Sequence, residues 1–315
     1  MDNNKFDKNI IDWLLESNDI SMRYRTLTEL LDFPQNDNNI ISLQKQISNS
    51  KPVLDILNKM SPEGYWAQIK PTTGKFIGDD VEYGAFATTH FCLSYLSELG
   101  LTKENPAIAK AAERYLNLQK NDGDWWNHLS CLTGYNLRTF TRLGYKNDKR
   151  IKKTIELLLS TNRIDNGYLC DLHEKRKKKS KSCIRGAVKV LLAFADLPEY
   201  WDHPRIKALV DYFLVRDGIY RNDDKNTFVN KDISRLSFPI IWRVNIFEIL
   251  YSLSRMGYGK DRRLKNAWRF FDTLKSANGK YKLDWTPIQC PWKVGKRGIE
   301  NKWITFYSLL AQKYK

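Results

Sequence analysis

No stretch of this 315-residue chain stays apolar for the roughly 18 residues that a membrane-spanning helix needs. The start, MDNNKFDKN, lacks a basic segment followed by an apolar one, so no secretory leader is expected and the cytoplasm is the expected compartment. Cysteine is sparse and odd in number: Cys92, Cys131, Cys170, Cys183 and Cys290. Such a set argues against a disulfide framework and for free thiols or a metal site. No Pro/Gly/Ser-rich linker divides the chain, which is read as one domain over 1–315.

Acidic residues are also short, with 36 Asp and Glu against 52 Lys and Arg and a formal charge of +16. Part of the excess sits in Lys175-Arg-Lys-Lys-Lys-Ser-Lys181. That run suits an acidic partner at 175–181 or a solvated loop. No helix-turn-helix or RNA-binding signature accompanies it, so a nucleic-acid partner is not expected. What the chain does hold is 42% hydrophobic residues, including ten Trp, enough for a large core.

The apolar residues repeat. Five turns carry Gly, one residue, then an aromatic or Leu: Gly64/Trp66, Gly123/Trp125, Gly167/Leu169, Gly218/Tyr220 and Gly279/Tyr281. Successive glycines are 59, 44, 51 and 61 residues apart, the size of a helical hairpin with its loops. Before each turn lies an amphipathic helix, with starts expected at Asn105-Pro106, Asp148, His203-Pro204 and Asp261. The stripe Leu264, Ala267, Trp268, Phe271 and Leu274 shows the pattern best. After each turn lies a helix poor in charge, expected to be buried on all sides. Several of these end at Gly100, Gly144 or Gly257, where a left-handed cap is expected. The buried set is placed at 20–32, 84–99, 129–143, 182–197, 238–256 and 302–313. The outer set is placed at 40–59, 105–120, 148–161, 204–216 and 261–275, with Phe6–Glu16 as a sixth. Six inner and six outer helices close into an all-α (α/α)6 toroid.

Gln119-x3-Gly123-x-Trp125 resembles the repeat of squalene and other terpene cyclases and of protein prenyltransferase β subunits; the other four copies are degenerate. The chain resembles a short, stand-alone member of that toroid superfamily. The resemblance implies a central cavity lined by the N-terminal ends of the inner helices, which in the enzymes holds an isoprenoid chain. The Asp-x-Asp-Asp acid motif of class II cyclases is absent, as is the Asp-Gly-Cys motif of the prenyltransferase zinc site. Fold likeness alone does not define a reaction.

Several groups of residues are candidates for chemistry. His128, Cys131, Cys170, His173 and Cys183 fall at the openings of the third and fourth inner helices and can converge on zinc, since thiolates and imidazoles at two-residue spacing suit it. The alternative is buried thiols and surface imidazoles. Arg138, Arg185, Lys189 and Arg243, on inner helices, suit a diphosphate or carboxylate, or else pair with carboxylates such as Glu29, Glu98, Asp196 and Glu248. Tyr24, Tyr135, Trp242, Trp303 and Tyr307 on the same helices suit an isoprenoid tail. Asp80 and Glu82, with Asp79, either bind Mg²⁺ or face a helix dipole. His90, inside an inner helix, is either a general acid/base or a core histidine.

The expected function is therefore binding or transforming an isoprenoid-like amphipathic anion, with zinc-assisted prenyl transfer as one form. The alternative is a non-catalytic scaffold with a structural zinc.

Overall fold

The computed structural model describes residues 6–16, 18–70, 72–79, 85–126, 130–170, 181–241 and 243–315. Among the described residues the regular structure is helical apart from one short antiparallel hairpin, β1 (Gln68–Ile69) with β2 (Phe76–Ile77), in which Gln68 faces Ile77.

Helices alternate between two kinds. The amphipathic ones are α1 (Lys8–Leu14), α3 (Asn38–Ile47), α4 (Lys51–Leu57), α6 (Pro106–Leu116), α8 (Lys149–Ser160), α10 (Pro204–Leu214) and α12 (Lys265–Thr273). In α8 only Ile151, Thr154, Ile155 and Leu158 are buried, a single stripe at helical spacing. The Asn105, Asp148 and His203 side chains cap α6, α8 and α10 by accepting from backbone N–H groups of the first turn. The second kind comprises α2 (Ile20–Arg25), α5 (Thr89–Glu98), α7 (Ser130–Phe140), α9 (Ile184–Ala195), α11 (Ile246–Leu253) and α13 (Lys302–Lys313). Every residue of α5, α7 and α11 is buried.

The buried helices pack in chain order: α5 on α7, α7 on α9, α9 on α11, and α11 on α13. The last of them, α13, packs on Thr26–Leu30, the π-helical turn that continues α2. Arg25 of α2 bonds Glu98 at the end of α5. One core cluster runs from Ile10 to Ala311.

Three expectations need correction. The helix expected over 40–59 is two, because Pro52 lacks an N–H and Ser50 starts a new helix at Lys51. The helix expected over 84–99 begins only at Thr89, with Thr88 in extended backbone just before it. The helix expected over 238–256 begins only at Ile246, where Asn245 and Glu248 form a reciprocal capping box.

The first three turns between outer and inner helices share one construction. Trp66 Nε1 donates to the Ile56 carbonyl at 2.8 Å, and Trp125 Nε1 to the Tyr115 carbonyl at 3.1 Å, each ten residues back. Tyr168, not Leu169, fills that place in the third turn: its hydroxyl donates to the Leu158 carbonyl at 2.7 Å, also ten residues back. The left-handed residue moves with it, to Asn166 (φ 63°) from the expected Gly167. At Gly123 (φ 93°) the backbone lies so close to α8 that a Cβ would meet the Lys153 carbonyl oxygen at 2.6 Å. Gln119 secures the same junction, donating to the Gly123 and Arg150 carbonyls and to Thr154 Oγ1 at 3.1, 2.7 and 2.9 Å.

Candidate functional site in the aromatic interior

Aromatic rings form a continuous column among the buried helices and the loops beside them. At one end the Phe86 ring lies 6.2 Å from Trp285 and 5.5 Å from Phe91. Phe91 continues to Tyr135 at 5.6 Å and to Tyr95 at 6.3 Å. Tyr95 reaches Trp292 at 6.1 Å, and Trp292 reaches Phe238 at 5.3 Å and Trp303 at 4.9 Å. Phe238 then meets Tyr307 at 6.0 Å. Of the residues expected here, Tyr135, Trp303 and Tyr307 join the column. Tyr24 instead bonds Gln35, and Trp242 lies outside the described residues. Trp285 and Trp292 escaped sequence reading because they sit in loops, where no helical period marks them, whereas Phe86 was placed in the helix expected over 84–99 and lies before it.

The Trp285 end opens to solvent. Phe86, Trp285, Pro287, Ile288 and Gln289 line an opening of about 330 Å³ there, and Ile288 is 92% exposed. The Arg243 guanidinium stacks 4.1 Å from the Trp285 ring centre. Arg243 and Arg185 both pair with Asp232, at 2.9 and 3.3 Å.

The opposite end is ionic. Tyr307 donates its hydroxyl to Glu98, which also pairs with Arg138. Arg25 holds Glu98 at 2.7 Å and Glu29 through two bonds of 2.6 and 2.7 Å. Arg142 reaches Glu29 at 3.2 Å, and Arg255 approaches Asp196 at 3.7 Å. Burial alone would raise these carboxyl pKa values, but Arg138, Arg142 and Arg25 hold Glu98 well below the ordinary range. Against the same burial, Arg25 and Arg142 hold Glu29 at about 2. Lys189 forms a second buried pair with Glu248 and donates at 2.7 Å to the Arg243 carbonyl. Burial pushes its pKa down.

The four expected anion-holding cations are thus placed in two groups. Arg138 and Lys189 are buried in ion pairs. Arg185 and Arg243 are more exposed and share Asp232.

His90 opens α5 on the wall of the column, with ring centres of Phe91, Tyr115 and Tyr135 at 4.1, 6.3 and 6.3 Å. It is 1% exposed, and neither ring nitrogen has a hydrogen-bond partner. Burial lowers its pKa to about 3, so the imidazole is neutral at physiological pH. The Tyr95 and Tyr135 hydroxyls also lack a well-aligned hydrogen bond, although Cys290 and Ser94 lie beside them. Native cores pair nearly all such groups, so His90 stands out among the buried side chains.

The structure brings Cys131, Cys170 and Cys183 together. The Cys170 thiol contacts those of Cys131 and Cys183, and lies 3.8 Å from Ser130 Oγ. The bond to Cys131 pushes Cys170 up to about 11, and contact with Cys170 together with burial pushes Cys183 higher still. His128 and His173, expected to complete a zinc site, lie outside the described residues. Among the described residues no group of three His, Cys, Asp or Glu side chains is arranged to hold a metal ion, so no step is routed through one. Asp80 and Glu82 also lie outside them, while Asp79 pairs with Arg114 at 2.9 Å. Of the run 175–181 only Lys181 is described.

No family model matches the chain, and no curated protein does. Among solved structures it is similar to the type II terpene cyclase MstE from Scytonema in complex with merosterolic acid A. The identity is 15% and the TM-score 0.34, with 86% of this chain and 96% of that chain covered. The apo form of the same cyclase matches at 14% identity and a TM-score of 0.34, covering 86% and 98%. Among the described residues no helix is long and apolar enough to cross a membrane.

Proposed function

We propose that the protein binds an amphipathic, isoprenoid-like anion inside a closed toroid of six inner and six outer helices. Closure is supported by the packing of α13 against the turn that follows α2. The observation that carries the ligand reading is the aromatic column from Phe86 to Tyr307 with the unpaired His90 on its wall. Aromatic faces accommodate an apolar chain and stabilise positive charge along it. Arg185 and Arg243 sit where the anionic end would lie, beside the solvent opening at Trp285. An anion there competes with Asp232 for both guanidinium groups. In the enzymatic form of the reading, neutral His90 accepts or relays a proton. Asp80 and Glu82 are the acids the sequence offers near the start of α5.

Native mass spectrometry of the purified protein tests the reading. A co-purifying small amphipath that is lost in Trp292→Ala supports it; a protein that carries no such mass and takes none up from added farnesyl diphosphate ends it.

A second reading, in which zinc is bound for alkyl transfer or as a structural ion in a non-catalytic scaffold, rests on the thiol contacts at Cys170. Total-metal analysis separates the two readings. About one zinc per chain, lost in Cys183→Ser, favours the second; metal-free active or ligand-loaded protein removes it.

A further inference from the structure

A second cleft, of about 550 Å³, lies where Lys181 and Ser182 face Tyr212 and Arg216, which sit at the end of α10 and just beyond it. Arg221, on the following loop, closes its third side. It is separate from the aromatic interior and shares no lining residue with it.

Arg216 is the distinctive group. It is 9% exposed, its guanidinium lies 3.7 Å from the Tyr212 ring centre, and Nη1 donates to the Tyr212 carbonyl at 2.6 Å. No carboxylate among the described residues pairs with it. A buried charge without a counter-charge is costly, and an external anion would supply the missing partner. The two carboxylates that line the cleft are engaged by other residues of its wall and not by Arg216. Asp165 accepts from Ser182 Oγ and N at 2.5 and 3.0 Å, and Asp223 pairs with Lys181 at 3.4 Å. The N-terminal end of α9 opens beside Ser182 and Ile184, and its peptide dipole favours negative charge at the same place.

We propose that this cleft is a binding site for the diphosphate or phosphate group of a small ligand. Arg216 and Arg221 grip the group, Lys181 stands at the rim, and Tyr212, Ile184 and Val229 contact the attached organic portion. Three cations from three chain segments and a helix N-terminus suit a multiply charged tetrahedral group better than a single carboxylate.

The test is calorimetric titration of the full chain with inorganic pyrophosphate at low salt, beside Arg221→Ala and Arg216→Lys. Saturable binding that weakens at least tenfold in either variant is expected, with unfolding midpoints confirming that both variants fold. A parallel sedimentation with phosphatidic acid/phosphatidylcholine vesicles identifies the source of the group: vesicle binding lost in the same variants assigns it to a lipid headgroup. Failure of wild-type protein to bind either probe, or equal binding by wild type and both variants, overturns the proposal. Both substitutions lie outside the aromatic interior, so that outcome leaves the reading of the interior untouched.

Discussion

Arg25 donates from Nη1 to the Glu98 carboxylate at 2.7 Å across 73 residues of chain, with both side chains 1% exposed. The bond joins α2 to α5, and Tyr307 of α13 donates to the same carboxylate. Glu98 is therefore the point where the first, second and last buried helices meet.

Removing that carboxylate strands two arginines. Glu98→Ala leaves Arg25 without its α5 partner and Arg138 without its closest one. Breaking a buried pair from one side costs about 3–5 kcal/mol. Urea denaturation is expected to show a loss of that size, whereas Lys51→Ala, at an exposed pair, shifts stability by about 0.5 kcal/mol or less.

Acid acts on the same cluster. Glu29 is held at about 2, below its ordinary value of 4.5, because Arg25 and Arg142 outweigh burial. A depressed carboxyl stabilises the fold fully above its unfolded pKa and loses that contribution as pH falls toward the folded value. Stability is thus expected to drop between pH 4.5 and 2, with a shallower drop in Glu29→Gln. Equal slopes for the two proteins would contradict the assignment.

His90 gives a separate pH signature. Its folded pKa of about 3 lies below the ordinary imidazole value of 6.5 because the ring is buried, so the unfolded chain takes up a proton that the native chain refuses. Stability falls as pH drops through this window, by up to about 1.4 kcal/mol per pH unit. His90→Leu removes the slope. Denaturation midpoints of both proteins at pH 7.5 and pH 5 should therefore diverge, and parallel midpoints would mean that His90 is protonated or solvated in the fold.

Gly123 and Gly144 separate backbone strain from steric contact. Both have φ near 94°, at 93° and 94°. A Cβ at Gly144 meets only the Lys103 side chain at 3.6 Å, whereas at Gly123 it meets the Lys153 carbonyl at 2.6 Å. Gly144→Ala is expected to cost about 1 kcal/mol from conformation alone, and Gly123→Ala clearly more. Thermal unfolding of the two variants measures the difference.

The helix alternation was legible because burial imposes a 3.6-residue period on α8 and removes charge from α5 and α9. The convergence of Cys131, Cys170 and Cys183 was legible from the same frame, since each lies near the start of an inner helix or just after the turn before one. The partners of the cations were not. Arg138 meets Glu98 40 residues away and Tyr307 169 residues away, and spacing along the chain carries no sign of such contacts. The third turn was misread by one residue because Asn166 adopts the left-handed conformation usually left to glycine, which moves the aromatic to Tyr168. Trp285 and Trp292 lay in a loop without periodicity, so these two rings of the aromatic column had no pattern to announce them.

The claim that the interior receives an amphipathic anion is tested most directly by titrating the protein with farnesyl diphosphate while following tryptophan fluorescence. An Arg221→Ala background removes binding at the outer cleft. Saturable quenching is predicted, with affinity at least tenfold weaker in Trp292→Ala and unchanged by Lys51→Ala. The absence of saturable quenching, or equal affinity with and without the Trp292 ring, would contradict the account.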